Sequence, residues 1–234
     1  GKMYGFVYEG TYKYEDFDTS VNDKGETVYK LKAGIPYYTA NTQPGDPKYK
    51  NMDENLQIND ADKVAIGNGQ PKHTGGFTNN FTYKNFDLNI FMTWSYGNDI
   101  LNANRMIFEN PSSKQNTNMF ATYANRWTES NPYSDMPRAK AQGAGEYSSL
   151  YVEDGSFLKL KNITLGYNFK PKTLHPLHIS SARVYVSAEN IATISSYSGS
   201  DPEVSTRNSV LTPGFDWSAY PRAFNLSLGL NVTF

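Results

Sequence analysis

Phe224-Asn225-Leu226-Ser227-Leu228-Gly229-Leu230-Asn231-Val232-Thr233-Phe234 is the last stretch of the chain. Every even position is apolar, and every odd position from Ala223 to Thr233 is small or polar. A strand sends successive side chains to opposite faces. The stretch therefore predicts a strand whose greasy side carries Phe224, Leu226, Leu228, Leu230, Val232 and Phe234, with a wet side behind it. A helix would need apolar residues at spacings of three and four, and that spacing is absent.

The alternation recurs upstream. Phe86, Leu88, Ile90, Met92 and Trp94 alternate with Asp87, Asn89, Phe91 and Thr93, and Ile163, Leu165, Tyr167 and Phe169 alternate with Asn162, Thr164, Gly166 and Asn168. Val184, Val186 and Ala188 repeat the pattern, as do Phe77, Phe81 and Tyr83. Leu158 and Leu160 fall out of phase with Ile163 onward, which predicts either a β-bulge between them or a strand top that has left the apolar layer. Six long strands are expected, near 3–9, 75–84, 85–97, 156–169, 180–191 and 222–234. Tyr83-Lys84-Asn85 and the segment 170–179 make short turns, whereas 10–74, 98–155 and 192–221 are long and polar. Residues 117–129 within the second of these read as a short helix.

Composition narrows the class. The 234 residues hold no cysteine, so disulfides, thiolate metal sites and a cysteine nucleophile are excluded. A net charge of −1 gives no electrostatic footprint for nucleic acid. Aromatics reach 15% and charged residues only 19%, with a mean hydropathy of −0.63. A transmembrane β-barrel combines these values, because its lumen and loops are polar while its outer face is apolar and ringed by aromatics. No apolar run reaches the roughly 18 residues of a membrane helix. No P-loop, dinucleotide fingerprint or nucleophile elbow is present, and no enzymatic activity is expected.

Alternating short turns and long loops fit an outer-membrane barrel with its short turns periplasmic and its long loops extracellular. About six strands cannot close a wide barrel. An open sheet in lipid leaves unpaired N–H and C=O groups at several kcal/mol each. The expected fold is therefore all-β, the C-terminal portion of a large transmembrane β-barrel, with further strands before Gly1. A passive or structural barrel, and a soluble carbohydrate-binding β-sandwich, are the alternatives. The sandwich predicts a cooperative melt in plain buffer, with the alternating leucines inside a core.

Several stretches carry a resemblance. They are Pro44-Gly45-Asp46-Pro47-Lys48-Tyr49, Ile66-Gly67-Asn68-Gly69-Gln70-Pro71-Lys72, Gly75-Gly76-Phe77 and the run from Phe91 to Ile100. The run from Tyr151 to Tyr167, Ser200-Asp201-Pro202-Glu203-Val204, and the stretches from Pro213 to Arg222 and Gly229 to Phe234 complete the set. Together they resemble the late barrel region of SusC/RagA-family TonB-dependent outer-membrane proteins, over nearly the whole chain after about residue 40. The resemblance implies a barrel of about 22 strands with an N-terminal plug, which this chain does not carry. It also implies location in the cell outer membrane, energy from the TonB complex through that plug, a SusD-like lipoprotein over the extracellular loops, and uptake of glycan oligomers or peptides.

Binding residues are sought among loop aromatics, whose rings stack on sugars and anchor interfaces. Trp127, Tyr197, Trp217 and Tyr220 are the candidates for substrate or lid contact, against the plainer role of propping folded loops. Trp94 and Tyr96 read as interfacial girdle residues. The segment 51–62 (NMDENLQINDAD) resembles a calcium loop, with Asp53, Asn55, Asn59 and Asp62 as side-chain ligands and Gln57 as a main-chain one. Asn51 in place of the first acid and Leu56 in place of glycine depart from the template, and a solvated acidic loop is the alternative. His73, His175 and His178 lack the third ligand and fixed scaffold that a metal site needs.

Overall fold

The computed structural model describes residues 1–110, 118–206 and 211–234. In chain order its strands are β1 (Lys2–Gly5), β2 (Tyr8–Thr11), β3 (Phe17–Val21), β4 (Thr27–Leu31), β5 (Pro47–Tyr49), β6 (Val64–Asn68) and β7 (His73–Tyr83). They continue as β8 (Phe86–Tyr96), β9 (Asp99–Asn102), β10 (Val152–Asp154), β11 (Phe157–Asn168), β12 (Ser181–Ser195), β13 (Phe215–Asp216) and β14 (Asn225–Thr233). Two short α-helices are α1 (Ala103–Phe108) and α2 (Pro171–Leu174). The chain divides into two units: 1–69, 100–153 and 205–218 form one, and 70–99, 154–204 and 219–234 form the other.

The second unit is built on one antiparallel sheet in the order β14-β12-β11-β8-β7. Its register lines up the alternation seen in the sequence. Leu228 lies opposite Val186, Val186 opposite Leu165, Leu165 opposite Leu88, and Leu88 opposite Phe81. The next row, one pleat back, reads Ser227, Ser187, Thr164, Asn89 and Asn80. Because side chains alternate with period two, matched rows give one continuous apolar face and one continuous polar face.

The phase slip at Leu160 is a bulge. Between Leu160 and Asn162 the pairing with β8 advances by a single partner, from Met92 to Phe91, so Lys161 is extra. Across the other edge, Leu160 faces Ala192 while Asn162 faces Glu189, and Asn190 takes a left-handed φ of 53° there. The extra residue restores parity. Leu158 and Leu160 stand opposite Trp94 and Met92, on the same face as Ile163 and Leu165 opposite Ile90 and Leu88.

The expected strand at 3–9 forms in two pieces and joins neither edge of this sheet. β1 pairs with β6 and β2 with β5, both in the first unit. Between them Phe6 is 1% exposed and clusters with Tyr49 and Ile58. The break lies where the chain meets a segment distant in sequence. A side chain at Gly5 would put Cβ 2.3 Å from the carbonyl oxygen of Tyr147, and that same oxygen accepts from the Phe6 amide at 2.9 Å. Five strands thus make the sheet. The described residues of the long polar stretches carry structure of their own: the first unit holds paired β3 and β4, and β9 between β10 and β13. Of the helix expected over 117–129, Thr117 lies outside the described residues and Ala121–Asn125 forms a single 3-10 segment.

Tyrosine supplies much of the first unit's interior. Irregular backbone leaves carbonyls that no ladder satisfies, and a buried phenol fills space while donating one hydrogen bond. Tyr12 donates to the carbonyl of Pro36 at 2.5 Å, Tyr49 to Gly143 at 2.7 Å and Tyr151 to Ala144 at 2.7 Å. Tyr38 donates to Glu146 Oε1 at 2.8 Å. Burial holds the hydroxyls of Tyr12, Tyr49 and Tyr151 above the ordinary tyrosine value of 10.0. Burial, aided by the bond to Glu146, pushes Tyr38 up to about 12. The folded state favours the protonated phenol, so this contribution is complete below pH 10.0 and drains as pH climbs through 12. Near-ultraviolet circular dichroism of the intact protein should therefore hold to about pH 10 and collapse above it. Tyr49→Phe, which leaves the Gly143 carbonyl with only its bond from the Glu146 amide, should cost about 0.5–1.5 kcal/mol in denaturant unfolding of this unit.

Candidate functional site

The two faces of the five-stranded sheet differ in chemistry and exposure. On the apolar face Leu226, Leu228 and Leu230 are 67%, 81% and 65% exposed, rather than enclosed in a core. Phe77, Phe81, Tyr83, Phe86, Leu165 and Ile194 are exposed on the same face. At one end of this face Trp94 Nε1 donates to His73 Nδ1 at 3.1 Å, and Tyr96 stacks on His73 with centroids 5.1 Å apart. Gly75 makes the room, since a Cβ there would sit 2.2 Å from the Trp94 ring. Trp94 and Tyr96, expected as girdle residues, stand at this end with His73, Phe157 and Leu158 beside them.

The polar face is a hydrogen-bonded wall. Asn89 donates to Asn80 at 2.7 Å, and Asn162 to Ser187 at 3.0 Å, with Thr164 2.8 Å from the Ser187 hydroxyl. Nearer the short turns, Arg183 forks onto Asp87 with Nε–Oδ1 3.0 Å and Nη2–Oδ2 2.5 Å. Asn168 adds a bond to Asp87 at 2.9 Å. Glycine makes these crossings possible. A Cβ on Gly166 would lie 2.4 Å from Arg183 Nη2, and one on Gly229 would lie 2.2 Å from the Tyr185 ring. Toward the other end, Lys159 is 3% exposed and reaches Glu203 Oε2 at 2.9 Å and Asp201 Oδ2 at 3.3 Å. The sequence alone did not single out this ion cluster. A lysine at a polar strand position reads as solvated, and its burial depends on a segment some forty residues on.

The four loop aromatics separate. Trp127 is 9% exposed, wedged over Gly45 and 5.6 Å from the Tyr14 ring, and Tyr197 is 7% exposed over Gly199. Both rings lie packed within their loops, the arrangement of the plainer role weighed for them, that of propping folded loops. Trp217 and Tyr220 are 46% and 91% exposed.

The segment at 51–62 closes on itself. Asn51 Oδ1, Asp53 Oδ1 and Asn55 Oδ1 accept in turn from the amides of Asp53, Asn55 and Gln57 at 2.9, 3.0 and 2.9 Å. Asn59 accepts from Ala61 and donates to the Gln57 carbonyl, both at 2.9 Å. Asp62 is fully buried and takes Met52 N at 2.7 Å and Asn59 N at 2.8 Å. The oxygens expected to hold calcium thus already serve hydrogen bonds within the loop, with Asp62 as its clasp. No group of three or more acidic, histidine or cysteine side chains fit for a metal occurs among the described residues, the three histidines included. Asp62→Ala should lower thermal stability by about 1–3 kcal/mol by taking the buried acceptor from two part-buried amides, while chelation of the intact protein should leave its melting unchanged. A drop in melting temperature on chelation would reassign the loop to calcium.

An exposed apolar face backed by a hydrogen-bonded wall is the arrangement of a barrel strand set in lipid, and comparison with known proteins gives the lineage. The chain is 32% identical to TonB-dependent receptor P3 of Formosa agariphila over 239 residues, covering 100% of this chain and 22% of that protein. It is 30% identical to TonB-dependent receptor SusC of Bacteroides thetaiotaomicron, over 84% of this chain and 18% of that protein. The chain belongs to the SusC/RagA family of TonB-dependent receptors. The fold agrees. The RagAB peptide importer in its open-open state matches at a TM-score of 0.72 and 22% identity, covering 100% of this chain and 22% of that one. No family model matches.

As a SusC/RagA chain it is an outer-membrane protein rather than an enzyme. It spans about a fifth of the length of the curated relatives it matches. The expectation that this apolar face meets hydrocarbon is open to a direct test. Leu228→Arg should therefore destabilise the membrane-embedded receptor by about 2–4 kcal/mol, and Ser227→Arg, one residue along on the polar face, by well under half of that. Urea unfolding in lipid vesicles reads both, and equal effects would count against the assignment of faces.

Proposed function

We propose that this chain forms part of the wall and outer loops of a TonB-dependent importer that carries glycan oligomers or peptides across the outer membrane. The observation behind this reading is the register that gives five strands one exposed apolar face and one hydrogen-bonded polar face, in a chain akin to SusC and to the RagAB peptide importer. A strand pair in hydrocarbon needs every backbone group matched. In the described sheet β7 and β14 each have a neighbour on one side only, so further receptor strands complete the ring. The polar face then lines the lumen. The stretches 10–74, 98–155 and 192–221 lie outside the cell. There Trp217 and Tyr220 meet substrate or a SusD-like lipoprotein, and energy arrives from the TonB complex through a plug elsewhere in the receptor.

Uptake of a labelled oligomer by cells carrying the receptor tests the reading. Transport should disappear when TonB is deleted, and uptake that persists would make the barrel a passive pore. Tyr220→Ala should weaken lid or substrate binding about tenfold, the cost of roughly 1–2 kcal/mol for an exposed aromatic anchor, without altering receptor assembly.

A further inference from the structure

We propose that Lys159 is a positioning residue, one that anchors the Tyr197–Val204 and Tyr220–Arg222 segments to the polar face of the sheet and so fixes where Tyr220 is presented. The anchoring follows from the charge cluster alone; the use of Tyr220 as a contact rests on the transport reading.

Lys159 projects from β11 between Thr93 of β8 and Thr193 of β12, its cross-strand partners. A lysine on the polar side of such a sheet should keep its ammonium in water, yet this one is 3% exposed. Burial of an ammonium persists only where opposite charge meets it. Both partners come from one segment: Asp201 is 10% exposed and Glu203 19% exposed. The Glu203 amide donates to Asp201 Oδ1 at 2.9 Å, which draws the two carboxylates together. Glu203 is the hub. Besides Lys159 it meets Lys161, the bulge residue, at 3.5 Å, and Arg222 Nη1. Arg222 also approaches Asp201, its Nε 4.0 Å from Oδ2.

Charges from three separate parts of the chain therefore converge on one buried point. The bulge is what delivers Lys161 to it. Gly199 lets the segment fold beneath Tyr197, since a Cβ there would lie 2.4 Å from that ring. Two residues before Arg222 stands Tyr220, 91% exposed, so an aromatic ring sits in solvent on backbone tethered immediately beside it.

The test uses the intact receptor in detergent, with heat-modifiable gel migration to report an assembled barrel. A nitroxide at Tyr220→Cys reads the position of the segment, and mapped proteolysis reads its opening. Lys159→Met should mobilise the label and raise the cleavage rate within 196–222 by at least about tenfold, because Asp201 and Glu203 lose the buried ammonium between them and keep only the partly exposed Lys161 and Arg222. Lys159→Arg should retain protection. Adding Asp201→Asn and Glu203→Gln to Lys159→Met should recover part of it, since no unpaired charge then remains buried. A label and cleavage rate within twofold of the parent in Lys159→Met, or in Glu203→Gln should Lys159→Met not assemble, would overturn the proposal. None of these readouts involves transport, so a receptor with an intact anchor and no uptake would count only against the transport reading.

Discussion

Backbone hydrogen bonding in the absence of water is the constraint from which the sheet follows. In hydrocarbon an unmatched N–H or C=O costs several kcal/mol, and a strand can match its own only through neighbours on both sides. Side chains are then free to follow their solvent rather than a packed interior. Leu226, Leu228 and Leu230 stand exposed on one face, and on the proposed reading lipid is the better solvent for them. Asn162, Thr164 and Ser187 can bond to one another behind them, on the watery side. The same side chains in a soluble sandwich would have to reverse roles, with the leucines in the core.

Holding that alternation over long strands requires local devices. The bulge at Lys161 keeps Leu158 and Leu160 on the apolar face where uninterrupted pairing would turn them into the lumen. It also brings a second lysine to Glu203. Gly166 and Gly229 do the complementary work on the polar side, leaving hollows where Arg183 and Tyr185 cross their neighbours. A residue with Cβ at either place would meet the guanidinium or the ring before the strands reached their register.

The sheet was legible in the sequence because period two is a property of neighbouring residues, and one apolar face imposes it on every strand. Even the bulge showed itself, as a change of phase between Leu160 and Ile163. What escaped detection depends on contacts distant in sequence. The alternation at 3–9 looked like a barrel strand, but Gly5 packs on the Tyr147 carbonyl and Phe6 turns into a core shared with Tyr49 and Ile58. For Trp127 and Tyr197 the sequence left ligand contact and loop propping both open, because the close approach of Gly45 and Gly199 to their rings is a property of the folded loops. Lys159 gave no signal, since only the fold brings Asp201 and Glu203 over it. The spacing at 51–62 was legible as a loop of alternating side-chain oxygens. Which groups those oxygens engage was not, because an amide hydrogen and a cation recruit the same atoms.

The chain therefore handles polar backbone in two ways. Where strands run side by side, the ladder satisfies it and side chains need only choose a face. Where the chain wanders, as over 36–49 and 134–147, side chains must do the satisfying. Tyr12, Tyr38, Tyr49 and Tyr151 close carbonyl or carboxylate oxygens from inside, and Asp46 and Asp62 close amides. Asp46 accepts from Gln43 N at 2.9 Å and from Arg138 Nε at 2.7 Å. Burial nonetheless raises its carboxyl above the ordinary range, with those hydrogen bonds and the Arg138 charge opposing the shift. The phenols of these four tyrosines supply both the apolar bulk and the donors that irregular backbone needs, without the desolvation cost of a buried charge.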